Sequence, residues 1–217
     1  MTHKFSSDWF GAGVPYWNVI IEQYKPKKFL EVGSFEGRSA CYMVDVCSQF
    51  SPIELYCVDT WQGSVEHKAD EIIENLESTF DENLKTSIMT AKNPVTFHKR
   101  KGKSSDQLPK LVAEGHRDFD LIYIDGSHVA TDVMLDACFS FQLLKVGGIL
   151  IFDDYLWEGW NEMSPEDIKN LLETHHHPKP AIDAFLSIFT NKFHRLVFDG
   201  NVEHQPYQLY LVKHSEL

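Results

Sequence analysis

Apolar and polar residues alternate in blocks along this chain. Short runs rich in β-branched and aromatic residues occur at 28–32 (KFLEV), 53–58 (IELYCV), 95–98 (VTFH), 120–125 (DLIYID) and 148–153 (GILIFD). Segments with helical period separate several of them, which predicts βαβ units and a mainly parallel sheet. Over 131–144, Val133, Met134, Ala137, Cys138, Phe141 and Leu144 share one helical face, and Gly147-Gly148 stops the helix. This helix should cover the sheet. Residues 66–90 are charged with a helical pattern and read as an insertion or a longer crossover after the second strand. Beyond the fifth strand come Trp157, Trp160, a helix start at Ser164-Pro165-Glu166, the HHHPKP turn and an apolar helix, AIDAFLSIF. FHRLVF (193–198) and YQLYLV (207–212) flank a Gly-Asn turn region and read as a hairpin, hence an antiparallel edge. The fold class is therefore α/β, and residues 1–217 read as one domain: a cap segment at 1–27, a core at 28–157, and helices with a terminal hairpin at 158–217.

Composition narrows the function classes. A chain of 217 residues buries roughly 70% of its unfolded surface. The hydrophobic fraction is 43% and the aromatic fraction 13%, as in ordinary globular proteins. No apolar run approaches the ~20 residues of a membrane span. The start, MTHKFSSDWFGAG, lacks the basic and apolar regions of a secretory signal, so the cytoplasm is the expected compartment. Cys41, Cys47, Cys57 and Cys138 show no C-x-x-C spacing, and three lie in apolar stretches, which reads as buried free thiols. A net charge of −12 argues against nucleic acid as a partner. HKRKGK (98–103) is the one basic cluster and reads as a solvated loop, with an anion site as the alternative.

The chemistry collects where the proposed strands end. In open α/β sheets ligands sit beyond the carboxyl ends of the strands, near the point where strand order reverses. Those ends carry Glu31 with the loop VGSFEG, then Asp59, then Gly102 to Ser105, then Asp125 to His128, and finally Asp153 and Asp154. Gly33 and Gly37 precede a helix, so the backbone there can pass close to a ligand. The loop is not G-x-G-x-x-G, because Phe35 and Arg38 stand where further glycines would be, which disfavours a nicotinamide dinucleotide. Glu31 would repel a pyrophosphate but suits the ammonium and sulfonium of S-adenosylmethionine; a plain glycine turn with a solvated Glu31 is the alternative. Asp59 can accept ribose hydroxyls or start a turn; Trp61 after it can stack on a ligand or pack in the core.

In order, FLEVGSFEGRSA, LYCVDTW, GKSSDQLPKL, FDLIYIDGSH and LLKVGGILIFDDY resemble the class I S-adenosylmethionine-dependent methyltransferases, specifically the small-molecule O-methyltransferases of catechol and sugar type. The resemblance spans about residues 28 to 157. It implies a Rossmann-like, doubly wound, mostly parallel seven-stranded sheet with an antiparallel C-terminal hairpin strand. It further implies that Glu31, Gly33, Ser39 and Asp59 hold the amino-acid and ribose parts of the cofactor, with Ser104 and Ser105 against adenine; Ser34, Gly37, Trp61 and Asp125 complete the expected cofactor-binding set. Mg²⁺ would be held by Asp125, Asp153 and Asp154. His128 stands where such relatives carry a catalytic lysine, and Asp154 where the catechol enzymes carry Asn; sugar-modifying relatives share the Asp.

Methyl transfer needs a positioned acceptor whose oxygen is made nucleophilic. A cation that chelates the acceptor hydroxyl would lower its pKa, and His128 can take the proton near neutral pH, with Asp125 as the second catalytic candidate. The competing role for His128 is to cap a helix or bond a carboxylate. A small-molecule acceptor is the expected partner, and a homo-oligomer is compatible with the sequence. A noncatalytic S-adenosylmethionine-binding regulatory protein is the alternative; it gives no reason for Asp153 and Asp154. His175, His176 and His177 lie in a Pro-rich turn and read as solvated or packing residues. Trp9, Phe10, Tyr16, Trp17, Trp157 and Trp160 divide between acceptor pocket and core.

Overall fold

The computed structural model describes residues 2–63, 74–156, 166, 169, 177–198 and 207–216. The expectations for Trp157, Trp160, Ser164, Pro165, His175 and His176 lie outside the described residues. A short 3-10 turn, Gly11–Gly13, leads into α1 (Val14–Tyr24). There follow β1 (Lys28–Val32), α2 (Arg38–Cys47), β2 (Ile53–Asp59), α3 (Leu76–Thr90), β3 (Val95–Lys101), α4 (Ser104–Ala113), β4 (Phe119–Ile124), α5 (Ala130–Leu143) and β5 (Leu144–Phe152). The last described elements are α6 (Pro178–Ile188), β6 (Phe193–Arg195) and β7 (Leu209–Lys213).

The strands form one seven-stranded sheet in the order β3-β2-β1-β4-β5-β7-β6. β1 through β5 run parallel, while β7 is antiparallel to both β5 and β6. This is the Rossmann-like, doubly wound methyltransferase fold, with the anticipated antiparallel end. Strand residues alternate between two cores, as a period of two requires. Phe29, Leu55, Cys57, Leu121, Tyr123, Ile149, Ile151 and Tyr210 join one, beneath α1, α2 and α3. Leu30, Val32, Tyr56, Val58, Ile122, Ile124, Leu150 and Phe152 join the other, beneath α4, α5 and α6. Both faces being covered is why β1, β4 and β5 read as nearly continuous apolar runs.

The basic run 98–103 departs from the expected loop: its first four residues belong to β3. β3 is the sheet edge, where charged side chains guard unpaired backbone groups. Its cations are also matched, Lys99 and Lys101 by Glu77, Lys99 again by Asp81, and Arg100 by both carboxylate oxygens of Glu114. An anion site has no support there. The described helix of the charged segment begins at Leu76; Leu76, Phe80 and Leu84 bury one stripe of it.

The ladder continues past the strand ends. The Gly33 N–H donates to Val58 O (2.9 Å), Asp125 N–H to Val32 O (2.8 Å) and Asp153 N–H to Ile124 O (2.9 Å). The first residues after β1, β4 and β5 are thereby set side by side. Gly33 is required at this crossing: its φ is +85°, and a Cβ would lie 2.0 Å from Asp125 O. Gly33→Ala combines a left-handed backbone with a clash against main chain, so we expect a loss of more than about 3 kcal/mol, read by urea denaturation. A loss under about 1 kcal/mol would show that the two strand ends separate easily.

Candidate active site at the strand ends

Strand order reverses between β1 and β4, and the site lies over that gap. After β1 the chain turns through Ser34 and Phe35 to Gly37, whose φ of +83° lets α2 start beneath the loop and whose missing Cβ makes room for Phe80. Asp59, at the end of β2, organises this loop. Its Oδ2 accepts the N–H groups of Ser34 (2.7 Å) and Phe35 (2.9 Å), and its Oδ1 accepts that of Trp61 (2.6 Å). A carboxylate offers about four lone-pair directions, so Asp59 keeps limited capacity for a ligand hydroxyl. Trp61 is only 4% exposed. Its ring meets Phe80 at 4.8 Å, and the Lys99 ammonium lies 4.5 Å from its centroid. The structure thus places Trp61 in the packing behind the loop.

Glu31 projects from β1 into the core under α1 and α2 and is fully buried. Ser39 Oγ donates to its Oε1, and Cys57 Sγ lies 3.6 Å from its Oε2. Burial pushes its pKa up to about 7 against these stabilising contacts. No described Lys, Arg or His forms an ion pair with it.

Asp125, Asp153 and Asp154 meet at the ends of β4 and β5. Burial first, and then the neighbouring acids, hold Asp125 well above the usual carboxylate range; Asp153 is raised in the same way. Single oxygens of Asp125 and Asp154 and a ring nitrogen of His128 all lie within 4.8 Å of one another. His128 Nε2 is 2.8 Å from Asp154 Oδ2. Asp153, expected as a direct metal ligand, is not in this group: its Oδ1 accepts a hydrogen bond from Gln208 Nε2. A pocket lined by Asp125, Ser127, His128, Val133, Asp154 and Pro178 opens here.

Sequence reading missed the groups that hold these acids from behind. Gln208 is buried on the β7 side; besides Asp153 its Nε2 reaches the Tyr123 hydroxyl (3.3 Å), and its Oε1 accepts from Trp17 Nε1 (3.0 Å) and the Tyr210 hydroxyl. Tyr123 in turn donates to Asp125 Oδ2 at 3.0 Å. Ser104 and Ser105 open α4, and buried Asp136 of α5 lies beside Ser104, its carboxyl pushed up to about 7 by burial and neither oxygen in a complete hydrogen bond. Phe10, Tyr16 and Trp17 prove to be core, while Trp9 is 62% exposed, its ring 5.4 Å from that of Phe35.

A Rossmann-like sheet with an antiparallel last pair, a glycine turn after β1, and acids closing β2, β4 and β5 defines the class of group-transferring α/β enzymes to which methyltransferases belong. The methyltransferase-domain family matches residues 30–155, more than half of the chain, and this protein belongs to that family. Three solved structures illustrate the likeness. The O-methyltransferase of Bacillus cereus, in complex with SAH, is 15% identical, with 98% of this chain and 84% of that chain covered and a TM-score of 0.60. TomG of Streptomyces achromogenes, an O-methyltransferase involved in tomaymycin synthesis and solved with SAM, is 14% identical, covering 97% and 82% at 0.60. The SAH-bound methyltransferase PaMTH1 of Podospora anserina is 19% identical, covering 96% and 80% at 0.57. At such identities the likeness establishes the shared fold. Comparison with curated proteins found no match.

The buried Glu31 gives a pH test. Its folded pKa of about 7 exceeds its unfolded value, so its stabilising contribution is complete below about pH 4.5 and is lost as pH rises through 7. In the ligand-free protein we expect Glu31→Gln to be more stable than wild type at pH 8, by up to about 3 kcal/mol. The gap should shrink towards pH 5. Equal gaps at both pH values in urea denaturation would contradict a buried, charge-penalised Glu31.

Proposed function

We propose that this protein transfers the methyl group of S-adenosylmethionine to a hydroxyl oxygen of a small acceptor, with a divalent cation at the ends of β4 and β5. The observation that carries the reading is the gathering of Glu31, Asp125, Asp153 and Asp154 at adjoining strand ends. Carboxylates crowded in a poorly solvated place repel one another, and positive charge relieves that cost. Two cationic groups answer the two halves of the cluster. The ammonium and sulfonium of S-adenosylmethionine suit Glu31, which lacks a described cationic partner. A hard divalent ion such as Mg²⁺ suits the Asp125 and Asp154 oxygens, with no thiolate in the group.

In this reading Gly33, Ser34, Gly37 and Ser39 shape the cofactor's cradle beside Glu31. Asp59 holds the loop and accepts from the ribose, Trp61 backs the loop, and Ser104 and Ser105 lie towards adenine. Asp125 and Asp154 hold the cation, and Asp153 adds its charge and the oxygen not bonded to Gln208. When bound, the cation lowers the pKa of an acceptor hydroxyl that touches it. His128 takes the proton. Its Nε2 lies 2.8 Å from Asp154 Oδ2, a carboxylate placed to stabilise the imidazolium formed. The chain's remaining task is to align the acceptor oxygen with the methyl carbon.

A second reading has its own observation: His128 is among the atoms lying within 4.8 Å of one another, so it also fits as a cation ligand. His128→Ala separates the two. As base, His128 leaves Mn²⁺ affinity, measured directly by electron paramagnetic resonance, unchanged on mutation, while turnover on an acceptor found by screening hydroxylated compounds falls by about 10²–10⁴-fold. As ligand, its loss weakens Mn²⁺ binding.

The proposal as a whole is tested by calorimetry with S-adenosylhomocysteine and by chelation. We expect saturable binding of one equivalent, and turnover that disappears after thorough chelation and returns with Mg²⁺. Activity that survives chelation removes the cation from the proposal; absence of S-adenosylhomocysteine binding removes the cofactor.

A further inference from the structure

The segment before α1 runs across the loop that follows β1, and it is fastened there by two buried polar side chains that the reaction does not use. Glu36 is 6% exposed and Asn83, on α3, 2%. Glu36 Oε2 accepts both the Ser6 N–H (2.7 Å) and the Ser6 hydroxyl (3.0 Å). No described Lys, Arg or His forms an ion pair with Glu36. Asn83 pins the same two segments together: its Oδ1 accepts the Lys4 N–H (2.7 Å), while its Nδ2 reaches Lys4 O (2.8 Å) and Glu36 O (2.9 Å). Arg38, the first residue of α2, adds an ion pair with Asp8 at 2.7 Å and lies over the Phe5 ring. Trp9 then sets its ring against Phe35.

A buried carboxylate is costly unless donors satisfy it. The donors that Glu36 finds come from the strap at Ser6, so the seated strap and the ordered loop stabilise each other. On its other side the same loop is tied to Asp59 through the Ser34 and Phe35 amides. The turn from Gly33 to Gly37 is therefore held between a strand-end acid and the strap. Its shape is what a cofactor meets.

We propose that Glu36 is a positioning residue whose latch to Ser6 holds the β1–α2 loop in its cofactor-binding shape, so that the N-terminal strap sets the protein's affinity for the cofactor. This rests on the S-adenosylmethionine reading of the site. Coupling of this kind is reciprocal: if the latched strap favours the cofactor, the cofactor must favour the latched strap by the same factor. A residue that merely stabilised the fold would weaken binding on mutation while the Ser6 amide stayed indifferent to the ligand.

The test uses full-length protein and S-adenosylhomocysteine as probe. Glu36→Ala should weaken binding about tenfold, within the usual range of coupling between sites. Glu36→Gln keeps an acceptor oxygen for Ser6 and should bind within about twofold of wild type. Hydrogen exchange at the Ser6 amide of the wild-type protein should slow about tenfold on saturation with S-adenosylhomocysteine. If Glu36→Ala fails to fold, Ser6→Ala, which removes one of the two bonds, should weaken binding about threefold. The inference is overturned if these alanine variants bind like wild type, or if Ser6 exchange ignores the ligand. A wild-type protein that does not bind S-adenosylhomocysteine overturns the cofactor reading instead.

Discussion

Carboxyl groups crowded at the ends of β1, β4 and β5 are the constraint around which this molecule is arranged. Glu31 is fully buried, while Asp125 and Asp153 are half-buried and crowded by neighbouring acids, and all three carboxyls are pushed above the usual range. The fold sustains this because the acids cannot move apart. Gly33, Asp125 and Asp153 are fixed through backbone hydrogen bonds to the neighbouring strands. Relaxing one acid away from the others would mean breaking the ladder at its centre.

The antiparallel end of the sheet contributes to the same arrangement. β7 inserts between β5 and β6, in a register that sets Phe152 opposite Leu209. The residue just before Leu209 is therefore delivered beside Asp153. That residue is Gln208, a neutral amide that can donate to a carboxylate on one side and accept from Trp17 and Tyr210 on the other. A cation in its place would neutralise the cluster; an apolar residue would leave Asp153 Oδ1 and Trp17 Nε1 unsatisfied. Gly13 is part of the same fit, since a Cβ there would come within 2.8 Å of Gln208 Oε1.

Much of the framework could be read from the chain because its signals are local. The buried strands announce themselves by apolar runs, the loop after β1 by two glycines, and the strand ends by acids placed immediately after those runs. What could not be read depends on distant partners. Trp17 and Gln208 are 191 residues apart and Glu36 and Asn83 are 47 apart, and nothing in the neighbourhood of either pair marks it. The run at 98–103 misled for a related reason: its polarity suits a loop and an edge strand equally well, and only the position of β3 at the sheet margin decides. In the sequence Trp61 beside Asp59 is open between ligand platform and packing; in the structure its ring lies against Phe80 of α3.

The two organising acids of the β1–α2 loop work in opposite directions. Asp59 is partly exposed and satisfied by backbone amides, so it stabilises the loop whether or not a ligand is present. Glu31, fully buried and pushed up to about 7, carries its cost until a positive group arrives. A site built only of residues like Asp59 would be stable and indifferent to what it binds. One built only of residues like Glu31 would not stay folded while empty. In the proposed reading, placing the satisfied acid at the end of β2 and the penalised acid one strand away, on β1, lets the loop keep its shape while the free energy withheld from the empty protein becomes available to a cationic ligand. The hydroxyl of Ser39 and the thiol of Cys57 limit the penalty without cancelling it, since neither carries a positive charge.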